Sequence, residues 1–456
     1  MTRSLRCLFE PSPLDHIEDI ENYKSGGFHP LLIGDKVAGG RYRILHKLGS
    51  GEFSTVWLAR DERGKRLVSL KIMSAETSST CNELRTVQYL KQTAVHHPAC
   101  TYILSVLDHF EIEDPNGRHV CLVSEFAGPN ISALHFNPDK PGEIRRLRGD
   151  LARKYSKQLI LVTGYLHSVG IVHGDITTSN VLIQLASADE WTDQDVYQRL
   201  GYPVPAEVRL CSGELNDLVS APKYVVESAR LPDLESTWLT EKIVLVDFGQ
   251  AFMLQTPPCG TAVLTVAYAP PEVIFESKLS VWSDIWALAC TIFEIRAGFQ
   301  LFEIFSGTSR EVLRHMVEIL GKFPEPWWSS WEERNVYFDD DGKPKKSWPD
   351  SICLSEEHSL TETIRDIGEN ESKPTVPPET CNSNSVSIET KSIFGPPGIK
   401  LSETEVENFA DLLHKVMRYC PEQRLPIEEI LEHPWVEAFD SFSAIDEHMA
   451  CKSTIK

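Results

Sequence analysis

Residues 173–180 read HGDITTSN, between LHSVGIV and VLIQL. A His-x-Asp with an asparagine five residues after the aspartate is how phosphoryl-transfer enzymes present a base and a metal ligand on one turn. The lysine usual two residues after that aspartate is missing, and Thr177 stands in its place. Three readings follow: a protein kinase with an altered loop, a kinase of small molecules, or an inactive relative kept for binding.

Three other stretches bear on the choice. LGSGEFSTV, from Leu48 through Gly49, Ser50, Gly51, Glu52, Phe53, Ser54 and Thr55 to Val56, matches a glycine-rich phosphate-covering loop, with Ser54 where a third glycine is usual. Glycines let backbone approach phosphates without a side-chain clash. Lys71, in the strand-like LVSLKIM, has the spacing of a lysine that holds nucleotide phosphates, and Glu83 on the next helical stretch is placed to pair with it. In IVLVDFGQA a strand-forming run ends at Asp247, Phe248 and Gly249. Taken singly these are a hairpin turn, a surface lysine and a structural turn; four matches in this order point to one chemistry. In it Asp175 orients a hydroxyl and takes its proton, while Asn180 and Asp247 hold magnesium.

Composition narrows the setting. A chain of 456 residues with 45 Lys+Arg against 66 Asp+Glu has a formal charge of −21, which disfavours nucleic acid or an anionic membrane as main partner and favours cationic proteins. Eleven cysteines lie singly, with no CxxC pair and no Cys/His cluster at metal spacing, so a reducing, intracellular compartment is expected. No apolar run approaches the ~20 residues of a membrane helix, and the first twenty residues lack a signal core.

The periodicity divides the chain. RYRILHKLGSGEFSTVWLARD, RLVSLKIM and VCLVSEF read as strands; TSSTCNELRTVQYLKQ carries a helical stripe through Leu84, Val87 and Leu90. Beyond residue 128 the pattern is helical, in YSKQLILVTGYLHSVG, VWSDIWALACTIFEIRAG, SREVLRHMVEILGKF and EVENFADLLHKVMRYC. Residues 185–241 hold eleven acidic against four basic residues, and 332–399 are rich in Pro, Ser, Thr and charge; both are expected as inserted loops, partly disordered. The expected fold is α+β and two-lobed: an antiparallel-sheet N-lobe with one main helix over about 41–127, and a larger helical C-lobe over about 128–437. Residues 1–40 form an N-terminal extension and 438–456 a C-terminal tail.

The chain resembles the eukaryotic protein kinases over about residues 41–437. Besides the motifs above, AYAPPE at 267–272 looks like the end of an activation segment, SDIWALAC at 283–290 like the central C-lobe helix, and Arg424 like the late arginine that pairs with Glu272. GGFHPLLIGD ahead of GRYRILHKLG, and GEFSTVWLARD after it, resemble the opening of the SR-protein-specific kinases, as does an insertion before DFG; the chain looks like a divergent, fungal-type member. The resemblance implies ATP and Mg2+ as cofactors and Ser/Thr protein kinase activity. It also implies protein substrates, basic and Arg/Ser-rich in type, in the cytoplasm or nucleus, with a role in mRNA processing or signalling and a monomeric enzyme. Thr265 aligns with the threonine that bonds the catalytic aspartate in Ser/Thr kinases. Ser124 matches a small gatekeeper beside adenine, and Glu125 to Ala127 the hinge whose backbone meets the base.

The loop HGD…N also resembles that of aminoglycoside and choline phosphotransferases. Those lack an activation segment ending in Pro-Glu with a downstream SDxW helix, both present here, and they work without the loop lysine. Thr177 thus does not by itself make the enzyme inactive; the loss of one preorganised donor is expected to slow transfer on the order of 10²–10³-fold, with a weak or inactive scaffold as the alternative. Gly174 replaces the arginine that in many kinases receives an activation-loop phosphate, so activity independent of such phosphorylation is expected. Two departures bear on substrate: FEIFSGTSREVLRH is nearly neutral where SR kinases carry acidic residues, and TVAYAPP lacks their arginines.

Overall fold

Alternation in residues 42–125 places successive side chains on opposite faces of a sheet, and both faces here are apolar. In a computed structural model, which describes residues 7–93, 97–137, 142–256, 265–304, 307–345, 359–369 and 392–437, strands from these residues and a short one at 36–37 form a six-stranded antiparallel sheet. Its strands are β1 (Lys36–Val37), β2 (Tyr42–Ser50), β3 (Ser54–Asp61), β4 (Arg66–Met73), β5 (Val106–Asp114) and β6 (Gly117–Glu125), in the order β1-β2-β3-β4-β6-β5. The chain divides into two compact units, the first made of residues 1–93, 103–129 and 183–240 and the second of the remainder.

In the first unit, neighbours in sequence serve opposite cores. Ile44, Trp57 and Val68 join Leu70, Ile72, Cys121 and Val123 on one face. Leu45, Leu58 and Leu67 on the other pack with Phe126, Trp191, Val196 and Leu200. The second group corrects an expectation: residues 185–241 are not simply loops. Thr192 caps the helix Asp193–Leu200 in a capping box with Asp195, and Asp193 receives Arg43 at 2.6 Å and Arg60 at 3.1 Å. Trp191, Val196 and Leu200 supply the apolar stripe beneath that charged surface. Eleven acidic residues obscure three well-placed apolar ones, because net charge says nothing about which side of a short helix is dry.

The N-terminal residues are equally committed. Phe9, Ile20, Tyr23 and Phe28 form a core with Val208, Ala221 and Val225. At its edge lies a buried ion pair between Glu18 and Lys47 of β2, with the Tyr23 hydroxyl donating to the same carboxylate. Burial drives the Lys47 ammonium down to about 7.

In the second unit the helix Val281–Ala297 is buried along nearly its whole length. An all-round apolar helix can sit only in a core, and the helices Gly149–Ser168, Ser309–Leu320 and Glu403–Val416 bury single faces. Arg424 and Glu272 form the expected pair, bidentate with both contacts at 2.6 Å and fully enclosed. Of residues 332–399, helices are described at Arg334–Tyr337 and Leu360–Arg365; positions 346–358 and 370–391 lie outside the described residues, as do 438–456.

Glu18→Ala strands the Lys47 ammonium in an apolar interior and is expected to cost ~3–5 kcal/mol in a urea titration, with Glu18→Ala/Lys47→Met recovering most of it. A loss under about 1 kcal/mol would show the pair to be solvated.

Candidate functional site

The sequence-predicted residues divide between the units. In the first, β2 and β3 meet in a tight turn in which Gly51 N–H donates to Ser54 O at 2.9 Å. Ser50, Gly51, Glu52 and Phe53 are exposed, whereas Ser54 and Thr55 are buried. Thr55 Oγ1 accepts the Trp57 indole N–H at 3.0 Å, and Leu48 packs half-buried on the second core. Gly49 pairs with Val56. Neither Gly49 nor Gly51 has a positive φ, and a Cβ on either meets nothing within 4 Å. Packing and backbone geometry therefore do not demand glycine there.

Lys71 lies on β4 between Val56 of β3 and Leu122 of β6. Its Nζ is 2.7 Å from Glu83 Oε2 on the helix Asn82–Thr93. That helix begins at Asn82, after a separate turn Ala75–Ser78 capped by Ser74, so Glu83 stands in its first turn and turns inward with Thr86, Val87 and Leu90. Ser124 is buried on β6 opposite Ser69. Glu125 is exposed, its carbonyl accepting from Ser69 Oγ at 3.2 Å, and Ala127 is buried.

In the second unit the loop 173–180 is suspended from the central helix. Asp284 accepts the backbone N–H of His173 at 2.8 Å and of Gly174 at 2.9 Å, and also meets His167 Nε2 at 3.0 Å. Thr291 Oγ1 donates to Ile176 O at 3.0 Å, and Thr178 Oγ1 donates to Glu294 at 2.8 Å. His173 Nε2 reaches Val246 O at 3.2 Å and its ring packs on Phe248, tying the loop to the 247–249 turn.

On this frame Asp175 is met from two sides. Thr265 Oγ1 donates to Oδ1 at 3.1 Å and Asn180 Nδ2 donates to Oδ2 at 2.8 Å. Both amide hydrogens being directed at Asp175, through its carbonyl at 2.9 Å as well, Asn180 Oδ1 is the atom left to face a cation. Burial holds the Asp175 carboxyl above the usual carboxylate range; His173, Thr265 and Asn180 oppose that, and the negative charge of Asp247 adds to it. Asp247 sits at φ +64°, a conformation rare for a residue with a Cβ, and accepts from Gly249 N–H at 3.2 Å. Two carboxylates raising each other's energy beside an amide oxygen fit a hard divalent cation.

Gly174 has φ +78°, and a Cβ there would lie 2.7 Å from Gln250 O. This backbone does not accept the arginine usual at that position. Thr177 is buried, and its carbonyl closes the turn to Asn180 N–H at 3.0 Å. Positions 257–264, the middle of the expected activation segment, lie outside the described residues.

Asp284, Thr291 and Glu294 were legible only as part of a helical run. Their spacing, seven and three residues apart, is that of one helix face, but nothing in the sequence says that the face meets a loop a hundred residues earlier.

The Protein kinase domain family matches residues 42–200 and 235–436. The chain belongs to the protein kinase family. It is 28% identical over 443 residues to a serine/threonine-protein kinase SRPK of Physarum polycephalum, covering 92% of this chain and 91% of that one. It is 26% identical over 442 residues to protein kinase dsk1 of Schizosaccharomyces pombe, covering 76% and 79%. SRSF protein kinase 3 of Homo sapiens is 30% identical over 227 residues, 47% of this chain and 37% of the relative. The crystal structure of a kinase domain superposes with a TM-score of 0.56 at 18% identity, over 90% of this chain and 99% of that chain, a likeness of fold.

Two glycine substitutions separate fold from ligand. Gly174→Ala is expected to destabilise by ~1–3 kcal/mol through strain and the Gln250 contact, read as a lowered melting temperature. Gly51→Ala leaves the melting temperature unchanged and raises the KM for ATP; equal loss of stability in both would refute the ligand reading of Gly51.

Proposed function

We propose that the chain is an ATP-dependent protein serine/threonine kinase. The observation that carries this reading is the convergence of the Thr265 hydroxyl and the Asn180 amide on the two oxygens of Asp175. A carboxylate so held is oriented with no freedom to rotate, which is what a base that aims an acceptor hydroxyl requires.

Lys71, fixed by Glu83, holds the nucleotide phosphates beneath the backbone of residues 48–56, and the 124–127 strand end meets the base. Asn180 and Asp247 hold magnesium, which when bound neutralises charge on the phosphate oxygens. Asp175 accepts the proton of a Ser or Thr hydroxyl as its oxygen bonds to the γ-phosphorus and the bond to the β-phosphate oxygen breaks, releasing ADP. Thr177 leaves this transfer without the usual lysine, so the enzyme is slow rather than silent. Gly174 offers no receiver for an activation-loop phosphate, and activity is independent of one.

The substrates are basic proteins, the surplus of acidic residues favouring cationic partners; kinship with kinases named for SR proteins adds Arg/Ser repeats as first candidates. No described helix is long and apolar enough to cross a membrane, and the seven cysteines among the described residues are free thiols, as an intracellular enzyme requires.

The test is MgATP-dependent phosphate incorporation into an Arg/Ser-repeat protein and into generic basic proteins, using phosphatase-treated enzyme. Wild type is expected to transfer to Ser and Thr, and Asp175→Asn to lose at least ~10²-fold in kcat with nucleotide affinity retained. Nucleotide binding without transfer in wild type, with transfer appearing only in Thr177→Lys, would overturn the proposal in favour of a nucleotide-binding scaffold.

A further inference from the structure

His29, in the GGFHP segment, and the β5–β6 hairpin meet at a cluster apart from the kinase residues. His29 Nδ1 lies 2.5 Å from Asp114 Oδ2, and His119 Nε2 lies 3.1 Å from Asp114 Oδ1. The three ligand atoms fall within 4.8 Å of one another, and the side chains are only 11%, 9% and 0% exposed for His29, Asp114 and His119.

The hydrogen-bond accounting around His119 does not close by itself. Its Nδ1 lies 2.9 Å from Met73 O; a carbonyl only accepts, so Nδ1 carries the proton and a neutral ring presents a lone pair at Nε2. That lone pair faces Asp114 Oδ1, which already accepts two backbone N–H groups, from Asn116 at 2.7 Å and Gly117 at 3.0 Å. Lone pair against carboxylate is repulsive in an interior unless a cation stands between them. A proton would do it, at the cost of a fully enclosed imidazolium. A divalent metal does it with both rings neutral and with His119 already oriented by a carbonyl, as ligating histidines usually are.

We propose that His29, Asp114 and His119 form a site for a divalent transition metal of the zinc type, which staples the N-terminal segment to the β5–β6 hairpin. Two imidazole nitrogens and a carboxylate oxygen are the donor set this class of ion selects over magnesium or calcium. Bonds of ~2.0–2.1 Å in a tetrahedron separate ligand atoms by roughly 3.3 Å, so His29 withdraws from Asp114 by about 1 Å and the widest-spaced ligand atoms, now within 4.8 Å, close by up to roughly 1.5 Å. The turn is otherwise prepared for it: Asn116 Nδ2 donates to Phe28 O at 2.7 Å, holding the residue before His29 against the hairpin.

The experiment uses full-length protein stripped with a chelator and titrated with Co2+, then with Zn2+. The expected result is one Co2+ per chain, with tetrahedral ligand-field absorption and no thiolate charge-transfer band, displaced by Zn2+ with a rise in melting temperature. His29→Gln and Asp114→Asn are expected to weaken binding by at least about 100-fold, the upper end of what loss of a mere supporting partner costs. Absence of stoichiometric binding, a thiolate band showing capture by cysteines, or unchanged affinity in both variants would each overturn the proposal and leave a hydrogen-bonded His-Asp-His cluster. Should either variant fail to fold, the wild-type spectrum alone decides.

Discussion

The carboxylate of Asp284 carries more of the second unit's functional geometry than any group in the loop it supports. Buried in the first turn of an apolar helix, it would be costly to desolvate without partners. The partners it has are the backbone N–H groups of His173 and Gly174 and the ring of His167. Satisfying one buried charge thus fixes the backbone on which Asp175 and Asn180 are mounted. Glu294 repeats the device nearly three turns on, taking Thr178 and the Tyr268 hydroxyl; burial raises its own carboxyl while both donors oppose that.

This support accompanies the glycine at 174. Where an arginine precedes the catalytic aspartate, a phosphate elsewhere can be recruited to order the site. Here order comes from within, through Asp284, Thr291, His173 and Thr265, and the backbone at 174 has turned to a conformation that suits glycine.

The first unit relies on a different constraint. Its sheet is apolar on both faces, so both must be covered, and the covering comes from residues flanking and interrupting the strands in sequence: Leu31 and Val226 on one face, and Phe126, Trp191, Val196 and Leu200 on the other. The Glu18–Lys47 pair joins the N-terminal segment to the strand that leads into residues 48–51, and Arg43 and Arg60 join the interruption to β2 and β3. Small sheets of this size bury too little by themselves, which makes these segments structural parts of the unit.

The order of four motifs, each short and local, made the family and the pairing of Lys71 with Glu83, Thr265 with Asp175 and Arg424 with Glu272 readable in the sequence. Local chemistry leaves local signatures: glycines at a turn, a strand ending in Asp-Phe-Gly, an aspartate with its asparagine on one turn. What the sequence hid was long-range. That Asp284 holds His173, that Trp191 and Leu200 cap a sheet begun 150 residues earlier, and that His29 meets Asp114 and His119 depend on which distant surfaces need burial. Residue periodicity records which side of an element is dry and carries no label for the partner that keeps it so. Only the folded chain, in which every buried charge and apolar face must find a neighbour, decided those partners.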